Sequence, residues 1–291
     1  MLPFDLPPPA GFSSTPYWNG KAFVVDGQNL QVLEYSENFA GWSDDLTALH
    51  EEAAGDSHPI DLASRYDAIS QIKQCLPGGQ GVVMEIGCSS GFLIKDLVKA
   101  LPQATIVGAD VVKDPLFRLA ETLPGTPLIR FDLLQCPLPE QSIDMLVMLN
   151  VLEHIEDDVG ALNNAYKLLK PGGCLVIEVP ACPFLYDSYD AELHHFRRYA
   201  ASDLHNKLRE VGFEIRRKSH LGFLLFPAFA AVKLLNKVLP SRKNKPVVSE
   251  QAKRTSGNGI VKLAMELESK YMANWALPFG VRTLAVARRP E

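Results

Sequence analysis

The sequence predicts an α/β protein: a doubly wound, mostly parallel, seven-stranded sheet with helices on both faces. Three observations carry this reading. From residue 81 onward, nearly continuous apolar runs of strand length alternate with segments of helical period. That is the pattern of parallel strands buried on both faces by crossover helices. Glycine-bearing or acidic turns fall at the ends of successive runs, where open sheets of this kind bind ligands. Finally, 291 residues at 47% hydrophobic and 22% charged suffice for a large core and are too apolar for a disordered chain.

The elements follow in order. Five prolines in the first 16 residues make an irregular, wrapping arm. Asp26-Gly27 separates two β-rich runs, which predicts a hairpin through a type I′ turn. Ser43 with Asp44 and Asp45 predicts an N-capped helix through Glu52. Asp61 is expected to cap another helix, with Leu62, Tyr66, Ile69 and Ile72 on one face. Strands are predicted at Val82–Ile86, Thr105–Ala109, Pro127–Phe131, Ile143–Leu149 and Cys174–Val179. Helices fall between them: Phe92–Leu101, Leu116–Leu123 after Asp114-Pro115, and Val159–Lys170, stopped by Gly172-Gly173. Ser202 is expected to cap a helix through Val211, ended by Gly212. Phe213–Ile215 begins another strand, and Val281–Ala287 supplies the last. The division is an N-terminal region at 1–60 (arm, hairpin and helix, a lid or substrate region) and a main domain at 61–291, with a helical insertion at about 221–275.

Charge and cysteine usage exclude several classes. Lys plus Arg is 29 against 34 for Asp plus Glu, a formal charge of −5, and basic residues cluster only in short pieces such as Arg216-Arg217-Lys218 and Arg242-Lys243-Asn244-Lys245. A nucleic-acid partner is therefore not expected. Five cysteines with no C-x-x-C pair argue against a disulfide framework and a four-cysteine zinc site. His50, His58 and His205 are isolated, so no metal is expected. The start, MLPFDLPPPAGF, has no basic region followed by an apolar run, so no signal peptide is expected, and no 18-residue apolar stretch is present. The expectation is a cytoplasmic protein.

The sharpest segment is Val82-Val83-Met84-Glu85-Ile86-Gly87-Cys88-Ser89-Ser90-Gly91-Phe92: strand, glycine turn, helix start. A dinucleotide-binding turn reads G-x-G-x-x-G; this one reads G-x-x-x-G, with Glu85 two residues ahead. A carboxylate there repels pyrophosphate but suits a cationic ligand group; the bland alternative is an ordinary βα turn. Asp110 ends the next strand about twenty residues on, the spacing at which a carboxylate reaches ribose hydroxyls. Asp132 ends the third, within reach of an exocyclic amine. Asn150 ends the fourth, in the run Asn150-Val151-Leu152-Glu153-His154. Each has a bland reading alone; their joint placement at successive strand ends carries the argument.

On these residues the chain resembles the class I S-adenosylmethionine-dependent methyltransferases, over roughly residues 60–215 and the final VRTLAVARR. The matching pieces are EIGCSSG, Asp110, FDL at 131–133, NVLEHIED at 150–157 and LLKPGGCLVIEVP. The resemblance implies a Rossmann-like methyltransferase fold and S-adenosylmethionine as cofactor. It implies that Gly87, Cys88 and Gly91 line the methionine portion, with Glu85 fixing the loop or the ammonium. Asp110 with Val111 would hold the ribose, Asp132 with Leu133 the adenine, and Asn150 would lie beside the sulfonium. Many members carry glycine at the position of Ser89; a serine there is tolerable if its φ is negative. The D/N-P-P-Y tetrapeptide of enzymes that methylate amino groups of nucleobases or glutamine is missing.

After the fifth strand, residues 186–199 are dense in groups that transfer protons, bind anions and stack on rings. A similar H-x-R-R-Y run recurs in methyltransferases of glycan and lipid biosynthesis. Tyr186, Arg197, Arg198 and Tyr199 are the candidate acceptor-binding residues, and His195 the candidate base, with His194 and Asp190 behind it. The alternative is that the arginines pair with local acids and the histidines are loop surface. For His154, a structural or cofactor-pocket role is preferred over that of base. The expected reaction is methyl transfer to a small-molecule or lipid- or glycan-linked acceptor, with oxygen favoured over carbon or nitrogen. An NAD-dependent oxidoreductase is the runner-up, opposed by the G-x-x-x-G turn and Glu85. A non-catalytic nucleotide-binding or interaction protein ranks third. In Leu221–Leu239, Lys233, Asn236 and Lys237 fall on one helical face. This segment reads as a packed cap helix or homodimer seam, with peripheral membrane contact, its lysines on anionic headgroups, as the second reading.

Overall fold

The computed structural model describes residues 2–36, 55–238 and 258–291. The helix expected from Ser43 lies outside them. A small antiparallel sheet comes first, formed by β1 (Tyr17–Trp18), β2 (Phe23–Val25) and β3 (Gln28–Leu30). Asp26 and Gly27 turn β2 into β3 with φ of 46° and 77°. Both central residues of a type I′ turn require positive φ, so the Asp-Gly expectation holds. The main sheet contains β4 (Val32–Glu34), β5 (Val82–Ile86), β6 (Thr105–Asp110), β7 (Leu128–Arg130), β8 (Ile143–Leu149), β9 (Leu169–Pro180), β10 (Glu214–Leu221) and β11 (Arg282–Arg288). Their spatial order is β10-β11-β9-β8-β5-β6-β7-β4. The strands from β4 to β9 run parallel, and β11 is antiparallel to both β9 and β10.

The sheet therefore has eight strands where seven were expected. The added one is β4, which brings the N-terminal region onto the edge of β7 with Leu33 opposite Ile129. Apolar side chains cover both faces: Ile86, Met84 and Val107 belong to one cluster, Val83, Ile106 and Val147 to the other. The arm residues Leu2 and Leu6 join the first.

The helices are α1 (Pro59–Cys75), α2 (Phe92–Ala100), α3 (Asp114–Thr122), α4 (Asp158–Leu168), α5 (Ser188–Glu192), α6 (Ala201–Val211), α7 (Phe226–Val238) and α8 (Gly259–Tyr271). Three local expectations need correction. Helix α1 starts at Pro59 with His58 as its cap, so Asp61 lies inside the first turn. Its buried face includes Ile60, Ala63, Ser64, Ala68, Gln71 and Ile72, while Tyr66 is 65% exposed. Apolar periodicity misjudged this face because Ser64 is buried as a donor to Glu178, at 2.7 Å. Gly172-Gly173 does not stop α4: β9 begins at Leu169, and both glycines lie inside it. Ser202 is not a cap, since α6 begins at Ala201 behind Ala200. Gly212, at φ 111°, does end that helix.

Helices α7 and α8 lie between β10 and β11, and Met265 of α8 packs with Ile60 and Ala63 of α1. Among the described residues no helix is long and apolar enough to cross a membrane, and the five cysteines are unbridged.

Candidate active site

Parallel strands deliver their carboxyl ends to one side of the sheet. There a cavity of about 380 Å³ opens, walled by the turns after β5, β6, β7, β8 and β9 and by α1 and α7.

One end is built on the turn after β5. Gly87 has φ 79°, and a Cβ placed on it would lie 2.3 Å from Val151 Cγ2. The position is closed to any side chain, so bare backbone faces the cavity. Gly91, at φ 71°, starts α2; a Cβ there would lie 2.5 Å from the Leu119 methyls. Gly91 is not on the cavity wall; its role is packing. Ser89 has φ 46°, so the condition of a negative φ is not met. The conformation is secured by Ser89 N–H donating to Asp110 Oδ2 at 2.7 Å. Asp110 Oδ1 accepts from the amides of Val111 at 2.7 Å and Val112 at 3.2 Å.

Glu85, 5% exposed, has no hydrogen-bond partner for Oε2 among the described residues. Burial, reinforced by the Asp110 charge, pushes its carboxyl well above the usual range. A buried, unsatisfied carboxyl is costly unless a donor or cation arrives. The Cys88 thiol beside it is also pushed up, first by burial. Asp132 caps the turn at Leu133–Gln135 by accepting from Leu134 N at 2.9 Å. Leu133 and Asn150 complete this end, Asn150 with φ 54°. Glu85, Gly87, Cys88, Asp110, Val111, Asp132, Leu133 and Asn150 thus meet on one wall. These features fit S-adenosylmethionine: an orphan carboxylate oxygen for an ammonium, a backbone cradle, and carboxylates at two further strand ends.

The other end is built on the segment after β9. Asp187 caps α5 in a capping box with Asp190. Asp190 is fully buried and, besides the Asp187 N–H of the capping box, meets three side chains. His195 Nδ1 lies 3.1 Å from its Oδ1, Arg198 Nε donates to the same oxygen at 2.8 Å, and Lys233 Nζ donates to Oδ2 at 2.9 Å. Burial would raise the Asp190 carboxyl, but these three partners together hold it well below the carboxylate range. Asp190 is therefore ionised, which makes Nδ1 of His195 the donor and leaves Nε2 with a lone pair. Burial lowers the His195 pKa, and the Asp190 charge only partly opposes this.

The other predicted residues divide. Arg198 lines the cavity, its guanidinium also donating to Ala181 O at 2.7 Å. His194 is exposed at φ 55° and is not on the wall, a correction to its placing behind the base. Tyr186, Arg197 and Tyr199 are also off the wall and hold the loop instead. Tyr186 donates to His195 O at 2.8 Å; Tyr199 donates to Asp158 at 2.9 Å, where Arg197 pairs at 2.7 Å.

Several wall residues were not singled out as site residues from the sequence: Asp61, Glu153, Tyr189, Phe229, Lys233 and Arg282. Arg282 bonds Asp61, and donates to Glu178 at 3.0 Å. Lys233 is 2% exposed and also donates to Asp187 at 2.6 Å. It does not reach solvent, so the reading that placed it on lipid headgroups is corrected. Its signal was a charge within an apolar run, one helical turn after Phe229.

Comparison with known proteins agrees with this architecture. Residues 84–175 match the family described as Methyltransferase domain. A probable S-adenosylmethionine-dependent methyltransferase of Mycolicibacterium smegmatis is 27% identical over 138 residues, 46% of this chain and 52% of that protein. The chain thus spans about half the length of that relative. An uncharacterized methyltransferase of Mycobacterium bovis is 30% identical over 154 residues, 52% of this chain and 74% of the relative. Among solved structures, a putative sarcosine dimethylglycine methyltransferase of Galdieria sulphuraria superposes with a TM-score of 0.58 at 13% identity, covering 85% of this chain and 99% of that one. The N-methyltransferase NodS of Bradyrhizobium japonicum, solved with S-adenosyl-L-homocysteine, gives 0.51 at 18% identity, covering 84% and 98%. Strand order, glycine turn and sequence relatives converge, and the chain belongs to the S-adenosylmethionine-dependent methyltransferases.

Proposed function

We propose that this methyltransferase acts on an oxygen of a small-molecule or lipid- or glycan-linked acceptor, bound at the Asp190–His195 end of the cavity. The observation that carries this reading is His195 itself. An unprotonated imidazole, oriented by a buried carboxylate, shares one cavity with the Glu85, Gly87 and Asp110 wall. When bound, S-adenosylmethionine supplies a methyl group already activated by the sulfonium. The protein must therefore orient the nucleophile and take its proton. Nε2 of His195 accepts the hydroxyl proton, and Asp190 stabilises the imidazolium that forms. Asp190 is a positioning residue. Arg198 and Lys233 hold it ionised, so the proton rests on His195. Val232, Leu234 and Leu235, exposed on α7 beside the wall residues Phe229 and Lys233, support an acceptor carried on a lipid.

His195→Ala is expected to lower turnover by about 10²–10⁴-fold, the usual contribution of a positioned base, while S-adenosylmethionine affinity measured by calorimetry stays within a few-fold. Full turnover in the variant would remove His195 from the acceptor side; equal loss of turnover and cofactor affinity would move it to the cofactor side.

A further inference from the structure

Methyl transfer leaves one group on the cavity wall without a task. Glu153, in the turn after β8, is fully buried, and neither carboxylate oxygen has a hydrogen-bond partner among the described residues. An ionised carboxylate in that state is strongly disfavoured unless a cation joins it. Two imidazoles stand beside it: the rings of His154 and His195 are 4.7 Å apart at 74°. One ligand atom from each of Glu153, His154 and His195 lies within 4.8 Å of the others.

We propose that Glu153, His154 and His195 form a site for a divalent transition-metal cation. Bond lengths of about 2.0–2.2 Å to imidazole nitrogen and carboxylate oxygen require only a modest contraction of the three groups. The fold already ties them together. Phe196 N–H donates to Glu153 O at 2.8 Å, which fixes the His195 loop against the turn that carries the other two. The second nitrogen of His195 is engaged by Asp190, the carboxylate–histidine arrangement that orients imidazole ligands and raises their basicity. Nearby cations are neutralised elsewhere: Arg198 and Lys233 by Asp190, Arg282 by Asp61 and Glu178. Two imidazoles and one carboxylate favour zinc, cobalt, nickel or iron over calcium and magnesium, which prefer oxygen donors.

Binding follows from geometry alone; its consequence for turnover rests on the proposed function. An ion on Nε2 occupies the lone pair assigned there to the acceptor proton, so the loaded protein transfers methyl groups more slowly than the metal-free one.

The test is titration of the full chain, stripped with a chelator, with Co²⁺. The expected result is a single equivalent, with visible d–d absorption and without the near-ultraviolet thiolate band that cysteine ligation produces. Glu153→Gln and His154→Gln are each expected to weaken Co²⁺ binding by about tenfold or more, with melting curves confirming that they fold. If Glu153→Gln does not fold, Asp190→Asn reads the same site through His195, with a loss of about 10–100-fold. Absence of saturable binding up to millimolar Co²⁺, a thiolate band, or unchanged affinity in the folded variants overturns the proposal. If Co²⁺ binds as expected and turnover is unaffected, the site stands and His195 is not the proton acceptor.

Discussion

At Asp110 the carboxylate expected to meet the ribose already accepts three backbone N–H groups, from Ser89, Val111 and Val112. The same side chain holds Ser89 in the left-handed region and fixes the turn that presents Gly87. Asp110→Ala is therefore expected to lower S-adenosylmethionine affinity by about tenfold or more and to lower the melting temperature as well, since charge-assisted hydrogen bonds contribute about 1.5–3 kcal/mol each. Calorimetric titration alongside a thermal melt measures both; unchanged affinity in a folded variant would sink the ribose assignment. Glu85, Asp110 and Asp132 were legible because strand ends fix where a side chain emerges, whatever surrounds it. The left-handed Ser89 was not. Which amide a carboxylate will capture depends on a turn conformation that residue spacing does not encode. Placing His194 behind His195 failed for the same reason: adjacent residues in an irregular loop point to unrelated places.

Helix α7 shows what periodicity misses. Its pattern put Lys233 with the polar residues, and a polar face normally meets water. Here the inward face covers an acidic loop instead of an apolar core, so the cation is the buried group. Lys233 is the tie between the insertion and the segment carrying His195, through Asp187 and Asp190. Lys233→Met leaves Asp187 without its ion pair to this lysine and Asp190 with two of its three side-chain partners. Removing one member of a buried pair costs about 3–5 kcal/mol, so a clear fall in melting temperature is expected. Turnover should fall with it while cofactor affinity, set at the opposite wall, is retained; wild-type stability and turnover would show that the tie is dispensable. Strand β4 escaped notice for a different reason: Val32–Glu34 is three residues long, below the length at which alternation or an apolar run stands out.

Across the whole molecule, burial of titratable groups makes stability pH-dependent. His205 of α6 is buried with no partner for Nε2 among the described residues. Burial first, then the charges of Lys218 and Arg209 and the neighbouring His220, lower its pKa from 6.5 to about 4. The unfolded chain therefore takes up this proton before the folded one. The neutral histidine's stabilisation is present above the unfolded value and is lost as pH falls from 6.5 toward 4. The melting temperature of the wild type should drop more steeply over that window than that of His205→Gln. Parallel curves would show that the imidazole is solvated in the folded protein.

The sheet's two margins carry a separate consequence. At one, the short β4 occupies the hydrogen-bonding edge of β7, whose Leu128, Ile129 and Arg130 are all buried. At the other, β10 turns Glu214, Arg216 and Lys218 outward to solvent. Open strand edges are templates for another chain's strand, and natural sheets blunt them with short strands and charge. Both devices are present here, one at each end. The N-terminal region thus covers an edge that would otherwise be open to another strand. A chain cut before Gly55 would keep α1 and its part of the cavity wall but leave β7 bare, and its first failure would be intermolecular strand addition instead of loss of the methyl-donor wall.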